Sequence, residues 1–271
     1  MGMAFTKYHI RRIFMKSLIN CIKPLIVFTT VTACLATMSA QPITNEDTSD
    51  NKPLVTLLAD YDIAVPEPSG LTLSADNASL WTVSDQTGLI YNISLAGQLI
   101  RTLPFHGNDL EGITLDPSGS FFLVVEEGSR EVIKISKEGV ELARYQVNLS
   151  KHESNSGLEG ITFDDNSNVY VLNEKKPSLW LKLRTDYSIK KRIEPSISQD
   201  LSGLDYDQKN SIFWMVSDKS KLLLKWSPEK GLQGQFALPY TKAEGIAVDS
   251  EKNLIYIVSD KLERLFIYQI N

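Results

Sequence analysis

The chain is poor in the residues on which most enzyme chemistry depends. Its two cysteines, Cys21 and Cys34, both fall within the first forty residues, so the remainder has no internal disulfide. Beyond that segment the only histidines are His106 and His152, which read as solvated residues in connections and not as catalysts. No Gly-x-Ser-x-Gly elbow and no His-rich metal cluster occurs. No stretch holds a sustained helical period, which excludes a helical bundle. Basic clusters are also missing from the main body. Of 28 basic residues, Lys7, Arg11, Arg12, Lys16 and Lys23 lie within residues 1–40, where there is no acid, so the formal net charge moves from −5 to −10 without that segment. An acidic body without a basic stripe argues against nucleic acid as a partner and permits cations or basic partners.

The first forty residues stand apart. A basic stretch is followed by the apolar run 24–40, ending in small residues, which is the order of a secretory signal. Met15-Lys16-Ser17 directly before that run is a more ordinary start, so the first fourteen residues read as an over-long gene start. Val31-Thr32-Ala33-Cys34 resembles the lipobox of bacterial lipoproteins, which would make Cys34 the lipid attachment site. The alternatives are a plain signal-peptidase cut after Ala40, with Cys34 an incidental thiol, and an uncleaved anchor. Thr29, Thr30, Thr32 and Thr37 weaken the anchor reading. Residues 41–52 are polar and aperiodic, a linker to a domain at 53–271. The expected location is the periplasmic side of the cell envelope, membrane-anchored or secreted there, with the membrane touched through the anchor alone.

From Leu54 onward short apolar runs are broken by turn residues every eight to twelve positions, the pattern of an all-β domain. One phrase returns. Leu158-Glu159-Gly160-Ile161 matches Leu110-Glu111-Gly112-Ile113 and Ala243-Glu244-Gly245-Ile246, and more weakly Leu201-Ser202-Gly203-Leu204 and Pro68-Ser69-Gly70-Leu71. The glycines are separated by 42, 48, 43 and 42 residues. A second anchor keeps step 14 or 15 residues on: Ser84-Asp85, Glu126-Glu127, Asn173-Glu174, Ser217-Asp218 and Ser259-Asp260. Each unit reads as four strands, the first copy as Gly70–Ser74, Leu80–Ser84, Leu89–Ser94 and Gln98–Phe105. Four-stranded units of this period are β-propeller blades. The last copy has room for only three strands, and Leu54–Val65 supplies the fourth. The expectation is a five-bladed β-propeller, its last blade closed by an N-terminal strand, acting as a monomer.

In that fold two rings open on one channel mouth. The first holds the residue before each glycine: Ser69, Glu111, Glu159, Ser202 and Glu244. The second holds Asp85, Glu127, Glu174, Asp218 and Asp260. The glycines themselves are explained by crowding of inner strands. Eight converging carboxylates must share protons or hold a cation. All-oxygen ligands favour a hard ion, Ca²⁺ before Mg²⁺, at Glu111, Glu159 and Glu244. The competing reading is structural: each second-ring acid accepts hydrogen bonds from its own loop backbone and holds the blades together. Asp116, Asp164, Asp207 and Asp249 read as caps of hairpin turns. Trp81, Trp180, Trp214 and Trp226 read as packing between blades.

Glu67-Pro-Ser-Gly-Leu-Thr-Leu, Asn108-Asp-Leu-Glu-Gly-Ile-Thr and Ser156-Gly-Leu-Glu-Gly-Ile-Thr resemble the SdiA-regulated (YjiK-like) family of exported bacterial propellers. The resemblance covers about residues 54–271 and implies an envelope β-propeller without an assigned reaction or catalytic residue. A more distant likeness is to gluconolactonase-type and NHL-type propellers. In the lactonases a glutamate at the start of an inner strand helps bind a divalent metal, a place Glu111, Glu159 or Glu244 would fill. Those enzymes have six blades and an asymmetric ligand set, whereas acids recur around this ring. The leading expectation is a non-catalytic binding or scaffold propeller with an unidentified ligand or protein at its mouth. The alternative is a metal-dependent hydrolase, lactonase- or phosphoesterase-like, at the same mouth.

Overall fold

The computed structural model describes residues 53–149 and 157–271. The signal or anchor segment with Cys34, the linker and His152 lie outside them. The described chain holds twenty strands and no helix, arranged as five four-stranded antiparallel blades of a β-propeller.

β1 (Val55–Asp62) comes first and pairs last. Blade 1 is β2 to β5 (Pro68–Leu73, Ser79–Ser84, Ile90–Ser94, Leu99–Thr102), and blade 2 is β6 to β9 (Leu110–Leu115, Phe121–Glu126, Glu131–Ser136, Glu141–Gln146). Blade 3 is β10 to β13 (Leu158–Phe163, Val169–Asn173, Leu179–Leu183, Ile189–Ile193), and blade 4 is β14 to β17 (Gly203–Asp207, Ile212–Ser217, Leu222–Ser227, Gly231–Ala237). Blade 5 is β18 to β20 (Ala243–Asp249, Leu254–Ser259, Arg264–Ile270) with β1 as its outer strand, in the order β1-β20-β19-β18. The closing ladder runs from Val55↔Ile270 to Asp62↔Arg264. Full closure leaves no inner sheet edge.

The core is five apolar layers, one between each pair of neighbouring blades. Period-2 alternation on the inner strands makes this division: Ile113 and Leu115 turn into the layer between blades 1 and 2, and Gly112 and Thr114 turn to the axis. The four tryptophans are all buried in these layers, as their placement in strands predicts. At the motif glycines the inner strands nearly touch. A Cβ on Gly245 would lie 2.0 Å from Ser69 O, and one on Gly112 2.4 Å from Glu159 O. The ring of glycines with Leu71, Ile113, Ile161, Leu204 and Ile246 leaves no space for a water in the axis. The channel is therefore shut midway, and its two mouths are separate cups.

The turn caps are as expected. Asp116 accepts from Ser118 N at 3.0 Å and Phe121 N at 2.7 Å, and Asp249 from Lys252 N at 2.9 Å. One element differs. Blade 1's inner strand begins at Pro68 rather than at Gly70, because the motif sits inside the strand as a β-bulge.

Candidate functional site

Bulges at the motif recur in β2, β6, β10 and β18, where the pairing slips across the glutamate or serine, and in β2 and β10 across the glycine as well. A bulge re-aims a side chain out of the pleat's alternation. Here it turns the first ring into the mouth. β14 has no slip, and there Ser202 is buried, donating to Ala243 O of the next blade at 2.7 Å.

All eight predicted acids line one cavity of 220 Å³, and Ser69 lines it with them. Ser202 does not. The structural task expected of the second-ring acids falls mainly to the residue before each of them. Ser84 donates to Pro66 O at 2.5 Å, Ser259 to Thr241 O at 2.9 Å and Asn173 to Pro177 O at 2.7 Å, while Glu126 accepts from Asn108 N at 3.0 Å. Of the second ring, Glu127 accepts from Gly157 N at 3.1 Å and Asp218 from Lys242 N at 2.7 Å, in each case from the next blade's loop and not from its own.

Sequence reasoning missed a third ring, three residues before each glycine: Glu67, Asp109, Gly157, Asp200 and Lys242. Its carbonyls accept the second-ring amides, Glu127 N to Asp109 O at 2.9 Å and Asp260 N to Lys242 O at 3.0 Å among them. This ring breaks the acid series. Lys242 Nζ lies 3.0 Å from Glu244, 3.5 Å from Asp260 and 3.9 Å from Asp218. Glu174 pairs with Lys175, and Lys219 stands 3.6 Å from it. The mouth thus has two arcs. Glu174, Asp218, Glu244 and Asp260, in blades 3 to 5, meet lysines. Among the described residues Asp85, Asp109, Glu111, Glu127 and Glu159 form no ion pair.

Glu111 receives the Ser69 hydroxyl. Glu159 is 6% exposed, and no donor among the described residues reaches its carboxylate. Burial pushes Glu159 well above the usual carboxylate range, helped by Glu111, Glu244 and Glu127 and opposed by Lys175. Burial raises Glu111 in the same way against the Ser69 hydrogen bond. Glu244 is pushed up to about 7 by burial, moderated by Lys242. Asp85 is pushed up to about 6 by burial and by Asp109. Two triads bring carboxylate oxygens within 4.8 Å of one another: Asp85–Asp109–Glu111 and Glu127–Glu159–Glu174.

These features define a five-bladed β-propeller with a closed axis and an acid-walled mouth. The chain belongs to the SdiA-regulated family, whose model matches residues 60–267. Among solved structures it is similar to a glutaminyl cyclase of Myxococcus xanthus at 14% identity, with a TM-score of 0.63, over 80% of this chain and 98% of that one. It also matches a streptogramin B lyase at 18% identity, with a TM-score of 0.48, over 80% of this chain and 73% of that one. At such identities the cyclase shares the propeller fold and carries nothing further.

Proposed function

We propose that this protein is a non-catalytic binding or scaffold propeller of the cell envelope whose acidic mouth holds a divalent cation, Ca²⁺ before Mg²⁺. The observation that carries the reading is Glu159, a buried carboxylate that no donor among the described residues reaches, beside Glu127 and Glu174. A buried carboxylate in such company needs a proton or a cation. Among the described residues the cavity lining offers oxygen ligands and no histidine or cysteine, which matches a hard ion, and its spread of carboxylates suits the flexible coordination of calcium. The envelope location rests on the basic-apolar N-terminal segment.

Calorimetric titration of CaCl₂ into chelator-stripped protein, with a thermal shift in parallel, tests the reading. Expected are saturable heat and a raised Tm, both much reduced in Glu159→Gln. Absence of heat and of any Tm change in the parent protein would sink it.

The hydrolase reading draws on one observation. Glu244, poised near neutrality against Lys242, is placed to exchange a proton beside a bound metal. Turnover of a panel of lactones and phosphoesters that needs Ca²⁺ and disappears in Glu244→Gln would move the assignment to that reading.

A further inference from the structure

The mouth opposite the acidic one is a second cup, of 750 Å³, sealed from the first by the glycine layer. Its floor is set two residues after each motif glycine. Thr72, Thr114 and Thr162 stand there in blades 1 to 3, and Asp205 in blade 4. The motif's recurrent threonine plays no part in the acidic mouth, and its place on the inner strand aims it the other way.

Asp205 is a brace. It accepts from Thr162 Oγ1 at 2.7 Å, from Tyr206 N at 2.8 Å and from Val248 N at 2.7 Å, so it ties three blades, and burial raises its carboxyl to about 6 against these donors. One lone pair remains on the oxygen facing Val248 N. Thr72 receives only Leu115 N, at 3.4 Å, and keeps its hydroxyl proton to give. Thr114 is 4% exposed and lines the cup, and among the described residues no protein group pairs with its hydroxyl. Its oxygen opens on the cup, where it can pair with whatever enters.

The occupant's class follows by exclusion. Asp116, Asp165, Asp205 and Glu251 against Lys209 disfavour an anion. Asp116 and Asp205 are already committed to protein donors, which leaves no cluster for a bare metal. Apart from Phe163, Tyr206 and a few aliphatic groups, the walls are hydroxyl, amide and carboxylate, which disfavours a large apolar ligand. A group that both donates and accepts matches threonine hydroxyls beside a carboxylate with a spare lone pair. The volume lies within the range of small-molecule sites, roughly 300–1,000 Å³. We propose that this cup binds an uncharged, polyhydroxylated small molecule of monosaccharide size, with Thr114 and Thr72 as donors and Asp205 as acceptor. The site is independent of the cation in the other mouth.

The test is ligand-observed NMR and calorimetry with D-glucose, D-galactose and N-acetyl-D-glucosamine, with tetramethylammonium as a cationic comparator. At least one sugar is expected to bind saturably, equally with Ca²⁺ or with a chelator, and equally in Glu159→Gln. Thr114→Val, which removes only the hydroxyl, is expected to weaken it about tenfold while leaving the Tm unchanged. The proposal is overturned if no sugar saturates, if tetramethylammonium alone binds, or if Thr114→Val binds the sugar as the parent does. A fall in Tm for that variant would also overturn it, since the hydroxyl would then have a structural partner.

Discussion

Lys242 Nζ lies 3.0 Å from Glu244 Oε1, at the point in the repeat where blade 2 places Asp109 before Glu111. The same scaffold position thus carries a cation in one blade and an acid in another. Around Lys242, Glu244, Asp218 and Asp260 have their countercharge built in. Lys242→Gln should therefore lower the Tm of chelator-treated protein and enlarge the Tm gain on adding Ca²⁺. The lysine is part-exposed, so the apo loss should be about 1 kcal/mol, or ~2–4 °C. Thermal scans in chelator and in CaCl₂ decide it, and identical curves for variant and parent would contradict the arrangement.

The raised carboxyls give the cation-free protein a definite pH response. Glu244 stands at about 7 and Asp85 at about 6, and Glu111 and Glu159 also lie above their ordinary range. The folded state thus holds protons that the unfolded state has released. Stability from these groups is complete below the ordinary carboxylate range and is lost as pH rises through 6 to 7, by on the order of a few kcal/mol. In chelator, Tm should fall from pH 5 to pH 8. With Ca²⁺ replacing the protons the fall should shrink, and calcium affinity should rise with pH. A chelator Tm that stays flat or climbs over that interval would refute it.

How far the sequence could be read follows from which residues repeat. The glycines repeat because neighbouring backbones leave no room for a Cβ, so they announced the blades and the closure by β1. The second ring repeats because its residues directly follow the ends of the second strands. The third ring was invisible, since Glu67, Asp109, Gly157, Asp200 and Lys242 share a position but no chemistry. Its signal was the constant offset from the glycine. The division of the mouth into two arcs depends on where Lys175, Lys219 and Lys242 reach, and adjacency in sequence does not fix that. The motif threonines were legible as letters, but only the closed axis shows that they face a different cup.

Two glycines separate crowding from backbone conformation. Gly245→Ala would place a Cβ 2.0 Å from Ser69 O, against backbone that cannot step aside without opening the ring. It should cost more than about 3 kcal/mol or prevent folding. Gly231 has φ +70° and nothing within 4 Å of a built Cβ, so Gly231→Ala meets only the left-handed backbone penalty, about 1 kcal/mol. Urea midpoints for the pair should differ accordingly. Equal shifts would mean that the inner strands can separate.

Closure by β1 makes the last prediction. The strand adds the whole outer ladder of blade 5, from Val55↔Ile270 to Asp62↔Arg264. It buries Val55 between blades 4 and 5 and pairs Asp60 and Asp62 with Arg264. Without it β20 would present an unpaired edge, and the last blade would lose the strand that joins the chain's two ends. A chain lacking residues 53–62 should lose more than about 10 °C of Tm, a drop that corresponds to several kcal/mol for a domain of this size. It should also run as dimers or larger species in size-exclusion chromatography with light scattering, because an open edge pairs with another. A peptide spanning residues 53–65, added in trans, should restore the parent's elution and part of the Tm. Leu58→Ser serves as the control, since Leu58 is 56% exposed on the same strand and its change should stay within about 0.5 kcal/mol. A truncated chain that elutes as the parent does, with the parent's Tm, would show that the four complete blades, and not the seam between β1 and β20, hold the ring.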